Sequence, residues 1–139
     1  MKMLSRRLAL LVPLVLAALP ACSDEGVAPP PSGPEPVRYS AQIQPIFDAR
    51  CVTCHTPSGQ APFLILDASQ SYSSLVGVAA TLYPGSQRVV AGDAGASVLY
   101  NKIADTGAFG GIMPPSGTSL TDAQVGLIRD WIDQGALAE

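Results

Sequence analysis

The chain has 139 residues, with eight basic against eleven acidic side chains, one histidine and a formal charge of −3. That balance excludes a nucleic-acid binder and electrostatic adhesion to anionic lipid, both of which need clustered cations. The acidic residues are spread along the chain rather than gathered in a run, so they read as solvation.

Residues 1–21 carry Lys2, Arg6 and Arg7 ahead of the apolar run 8–16, the pattern of a secretory signal peptide. The run is too short to span a bilayer and is interrupted by Pro13. Its end, Leu19-Pro20-Ala21-Cys22, resembles the lipobox of bacterial lipoproteins. That resemblance implies cleavage before Cys22, lipidation of its thiol, and an exported protein anchored to membrane through lipid. Ser23 in the next position resembles the sorting signal for an outer membrane, so the expected location is periplasmic, outer-membrane or cell-surface. The alternative is ordinary cleavage that leaves Cys22 as a free thiol, a liability in an oxidising space. Cleavage removes three of the eight basic residues and none of the eleven acidic ones, leaving five cations against eleven anions, or −6.

With Cys22, residues 23–36 form a tether: these fourteen residues hold five Pro and two Gly and cannot build a core. Extended at ~3.1 Å per residue, it reaches about 40 Å. The folded part is then one domain, 37–139.

Ser40 is placed to cap a helix whose Ile43, Ile46 and Phe47 fall at i, i+3, i+4, with Pro45 suited to its first turn. This helix runs into Cys51-Val52-Thr53-Cys54-His55. Two thiols three apart with an imidazole directly after the second are the attachment site of a c-type haem. On a helical turn Cys51, Cys54 and His55 share one face. The thiols then reach the two haem vinyl groups, and His55 sits beneath the iron as an axial ligand. The plainer readings fit less well. A redox dithiol would want a βαβ context. A zinc site needs a second ligand pair, which is missing. A structural disulfide leaves His55 idle.

Beyond the motif, 56–59 reads as a turn, and 62–66 as an apolar run laid against the haem edge. Ser69 or Ser71 is expected to cap a short helix through Tyr72, Leu75 and Val76, ended by Gly77. Residues 83–95 are turn-rich around a brief extended 88–90. Ser97 is expected to cap a helix over 98–104. The stretch 107–117 has no periodicity and ends in Met113-Pro114-Pro115, where the prolines stiffen the loop and keep Met113 out of helix. Thr121 with Gln124 makes a capping box and Leu120 with Val125 a hydrophobic staple. The helix they open carries Val125, Ile128, Trp131 and Ile132 in one stripe and ends at Gly135. Trp131 reads as packing between the first and last helices, with haem contact as the alternative.

Taken together, Ile43 to Phe47, the Cys51–His55 motif, 97–103, Met113-Pro114-Pro115 and 120–136 resemble a mono-haem bacterial cytochrome c domain. The resemblance covers nearly everything after the tether, with residues 60–93 the least familiar part. It implies an all-α cytochrome c-like fold, three to five short helices and loops wrapped around one covalent haem c. By position His55 is the proximal ligand and Met113 the distal one. Two facts support Met113 independently: His55 is the only histidine, and Met113 is the only methionine left once the signal is removed. A core-filling role is the alternative for Met113. The expected function is electron transfer to redox partner proteins, without catalysis of its own. The alternative is a haem enzyme or gas sensor with a labile distal position.

Overall fold

The computed structural model describes residues 35–115 and 119–139. The expected signal peptide, Cys22 and the tether up to residue 34 lie outside the described residues. Four α-helices follow in order: α1 Gln44–Arg50, α2 Ser71–Leu75, α3 Val98–Ile103 and α4 Asp122–Asp133. Among the described residues there is no strand, only four isolated bridges, so the fold is all-helical as expected.

A π turn, Tyr39–Ile43, leads into α1. Pro45 lies in the first turn of α1, where its missing N–H costs nothing. Ser40 does not cap this helix. Its hydroxyl donates to the Glu139 carboxylate at 2.9 Å, while the Val37 N–H donates to Gln134 Oε1 at 2.7 Å. The two ends of the domain are thereby tied together.

The hydroxyls of the other expected serine caps are also bonded elsewhere. Ser71 is the first residue of α2, and its hydroxyl is bonded within the core. The Ser69 hydroxyl bonds the Asp67 carboxylate. Ser97 does occupy the N-cap position of α3, but its hydroxyl donates to the Asp93 carbonyl and accepts from the Val90 N–H, at 2.7 and 2.8 Å. In each case a long-range or loop bond outcompeted the local cap.

Helix α4 forms as its signals require. Thr121 Oγ1 accepts from the Gln124 N–H, and Gln124 Oε1 accepts from the Thr121 N–H. Its end is a complete Schellman motif: Gly135 N–H bonds Ile132 O and Ala136 N–H bonds Trp131 O, each at 2.9 Å. Gly135 holds φ 103°, which only glycine adopts without strain.

Ile128, Trp131 and Ile132 turn fully into the core. At ~1.5–3 kcal/mol for each large apolar side chain, burying this stripe is the main reason α4 docks. The Trp131 ring lies 5.0 Å from Tyr39, which also edges onto Phe47 and Tyr72. Trp131 thus packs the last helix against the π turn that leads into α1, as its core reading requires. Residues 87–90 run extended between two neighbours: Arg88 N–H bonds Val78 O, and Val98 and Leu99 N–H bond Gln87 O and Arg88 O.

Candidate functional site

Cys51 closes α1, its N–H bonded to Phe47 O at 2.8 Å. The Cys51 carbonyl in turn accepts from the N–H groups of Cys54 and His55, at 3.1 and 3.0 Å. One further helical turn therefore winds on from α1 and sets Cys51, Cys54 and His55 at i, i+3 and i+4. It is a single turn rather than a continuation of the regular helix, because the chain doubles back at once: Ala61 N–H bonds Cys54 O at 3.0 Å. Gly59 makes that return possible, since a Cβ there would stand 2.2 Å from the Cys54 oxygen.

The returning strand of chain orients the imidazole. Leu66 N–H bonds His55 O at 2.9 Å, and His55 Nδ1 lies 3.3 Å from the Leu64 carbonyl. With Nδ1 protonated toward Leu64, Nε2 keeps its lone pair for a ligand. Burial holds the imidazole below its ordinary pKa of 6.5, against the opposing pull of the Leu64 and Ala61 carbonyls, so the ring is neutral at pH 7. A buried network steadies the same segment from beneath. Tyr39 OH donates to Ser71 Oγ, Ser71 Oγ donates to Gln44 Oε1, and Gln44 Nε2 donates to Leu66 O at 3.0 Å.

Both thiols are free and half-buried. Burial, then the neighbouring Cys54, pushes Cys51 up to about 11. This is the reverse of a redox dithiol, whose attacking sulfur needs a lowered pKa. Among the described residues, no group of three or more His, Cys, Asp or Glu side chains is placed to hold a metal ion.

His55 opens onto a cleft of about 750 Å³, mouth included. Its walls are mostly apolar, with Leu64 and Leu75 on one segment pair and Val98, Leu99 and Ile103 from α3. Met113 lines the same cleft, its N–H bonded to Lys102 O at 2.9 Å and its peptide bond to Pro114 cis. The two expected axial ligands are thus brought to one cavity, although 58 residues separate them along the chain. Cys51 and Cys54 sit on the turn that carries His55 but are not among the lining residues. Trp131 is not among them either, so it is a core residue.

Tyr83, Arg88 and Lys102 are among the lining residues that the sequence did not single out. Arg88 stitches the wall together, donating to Ser74 O at 2.7 Å, to Phe63 O, and to Thr81 Oγ1 at 3.2 Å. Arg88 and Lys102 are the cleft's charged lining residues, both positive in an acidic chain. One signal for Lys102 was available, since Lys2 and Lys102 are the only lysines. Among the described residues no helix is long and apolar enough to cross a membrane. No protein-family model, curated protein or solved structure matches the chain.

Proposed function

We propose that this protein is an electron carrier built around one covalent haem c with His55 and Met113 as axial ligands, exported and held to membrane through a lipid on Cys22. The observation that carries the reading is the Cys51–His55 turn, which wraps the motif around one carbonyl and opens its imidazole onto the apolar cleft that Met113 also lines. The donor types suit the group: two free thiols, a neutral imidazole and a thioether.

When bound, the haem supplies a one-electron Fe(III)/Fe(II) couple. The residues do the rest. The Cys51 and Cys54 thiols would hold the haem as thioethers, each S–H adding across a vinyl double bond with no net oxidation. The Leu64 carbonyl holds the His55 ring and its tautomer. The Met113 thioether favours Fe(II) and so raises the potential, and the apolar walls act in the same direction by penalising the ferric charge. With both axial positions filled, no site is left for a substrate, which suits a carrier.

Spectra of the ferric and ferrous protein with and without carbon monoxide test the assignment. Wild type should be low-spin and unreactive toward carbon monoxide, and Met113→Ala should open the position and lower the potential. A wild type that is high-spin and binds carbon monoxide as fast as Met113→Ala would make the protein a haem enzyme or gas sensor instead.

A further inference from the structure

The segment that carries Met113 has little to hold it. After α3 it contains Gly107, Gly110 and Gly111, of which Gly107 and Gly110 have positive φ, and it forms no helix up to residue 115. Near its start Thr106 is tied to Asn101, by its N–H to the carbonyl at 3.2 Å and its hydroxyl to Oδ1 at 2.7 Å. At its far end the Met113 N–H bonds the Lys102 carbonyl at 2.9 Å. Between those points two side chains from outside the segment converge on one atom, the Phe109 carbonyl oxygen. Tyr83 OH donates to it, and Lys102 Nζ donates to it at 3.2 Å. A carbonyl has two lone pairs and accepts both.

The Tyr83 and Phe109 rings meet edge to face, 5.1 Å apart at 70°, and the Lys102 ammonium stands 6.0 Å from the Tyr83 ring centre. Tyr83, Lys102 and Met113 all line the cleft. With the Phe109 carbonyl held, the loose chain before Met113 is Gly110-Gly111-Ile112; released, it extends back to Gly107 and gains the freedom to carry the sulfur away.

We propose that Tyr83 and Lys102 form a latch on the Phe109 carbonyl, and are positioning residues that set how firmly Met113 occupies its axial position. The proposal rests on Met113 as an iron ligand. Nothing in it requires Tyr83 or Lys102 to touch the iron.

The test is titration of the ferric haem-loaded protein with imidazole, which competes with Met113. Tyr83→Phe keeps the ring and removes one donor; imidazole should bind about fivefold more tightly, as the loss of one net hydrogen bond requires. Lys102→Gln should act in the same direction, and Lys102→Arg, which keeps a charged donor, should stay within about twofold of wild type. Combining Tyr83→Phe with Met113→Ala decides the route of action, because the latch has nothing to hold once the sulfur is gone. In that background Tyr83→Phe should leave imidazole affinity unchanged. Amide exchange at Gly110 and Gly111 should also quicken in Tyr83→Phe while the melting temperature holds.

Unchanged affinity in both Tyr83→Phe and Lys102→Gln, with Met113→Ala binding imidazole more tightly, would overturn the latch and leave the ligation intact. A fivefold gain in both backgrounds would overturn it too, by showing that Tyr83 acts on the cleft rather than on Met113. If Met113→Ala itself leaves imidazole affinity at the wild-type value, the ligation fails and the latch with it.

Discussion

Replacing Gly59 by Ala puts one methyl group against the most constrained point of the site. The added Cβ would lie 2.2 Å from the Cys54 oxygen and 2.7 Å from its carbonyl carbon. Both are backbone atoms of the Cys51–His55 turn and neither can rotate aside. Restoring van der Waals separation moves the loop by roughly 1 Å, enough to break the 3.0 Å bond from Ala61 N–H to Cys54 O. Overpacking of this kind costs about 1–3 kcal/mol and the lost hydrogen bond about 1 more. A total of ~2–4 kcal/mol lowers the melting temperature of a domain this size by roughly 10–25 °C. The same displacement pulls Leu64 from His55, so the yield of attached haem should fall as well. Gly126→Ala in α4 is the matched control. A Cβ there meets nothing within 4 Å, and removing an interior helix glycine should stabilise by ~0.5–1 kcal/mol. Thermal melts followed by near-ultraviolet circular dichroism of Trp131 read both variants. A Gly59→Ala protein that melts within about 2 °C of wild type would refute the reasoning.

Three further outcomes are expected. In protein made without haem, about one Cys51 in a thousand is thiolate at pH 8, against about one in ten for a thiol at the ordinary 9.0. Allowing for the greater intrinsic reactivity of a more basic sulfur, Cys51 should alkylate roughly tenfold more slowly folded than in denaturant. Because its folded pKa is raised, its contribution to stability is complete below about pH 9 and is lost as the pH rises through about 11; alkaline unfolding curves check that sign. Wild-type protein should partition into detergent with membranes, and Cys22→Ser should lose the lipid and become extractable without detergent; a wild type with an unmodified Cys22 would contradict the anchor.

What the sequence disclosed and what it hid divide by the range of the interaction. Helix α4 was legible end to end because its signals are local: Thr121 bonds Gln124 three residues on, and Ala136 bonds back to Trp131 five residues earlier. The shape of the Cys51–His55 motif was legible because its i, i+3, i+4 spacing is local, and the turn closes on the Cys51 carbonyl. Ser71 misled for the opposite reason: it read as a helix cap, yet its hydroxyl is bonded to Tyr39 and Gln44, 32 and 27 residues away. Residues 60–93, the least familiar part, hold one short helix, and the rest of their path is set from outside. Arg88 alone joins Phe63, Ser74 and Thr81, and isolated bridges join Val76 to Val89 and Gln87 to Ser97. For the same reason Tyr83 and Lys102 stayed invisible as neighbours of Met113: the cleft gathers them, and no spacing records it.

Covalent attachment is the claim on which the account stands, and one extraction tests it. Mature wild-type protein, denatured and treated with acid–acetone, should keep its haem and show the mass of one haem above that of the processed polypeptide and its lipid. Replacing Cys51 and Cys54 together by Ala should release all of it into the organic phase. Haem that extracts from the wild type, or a wild-type chain that matures without any, would contradict the account.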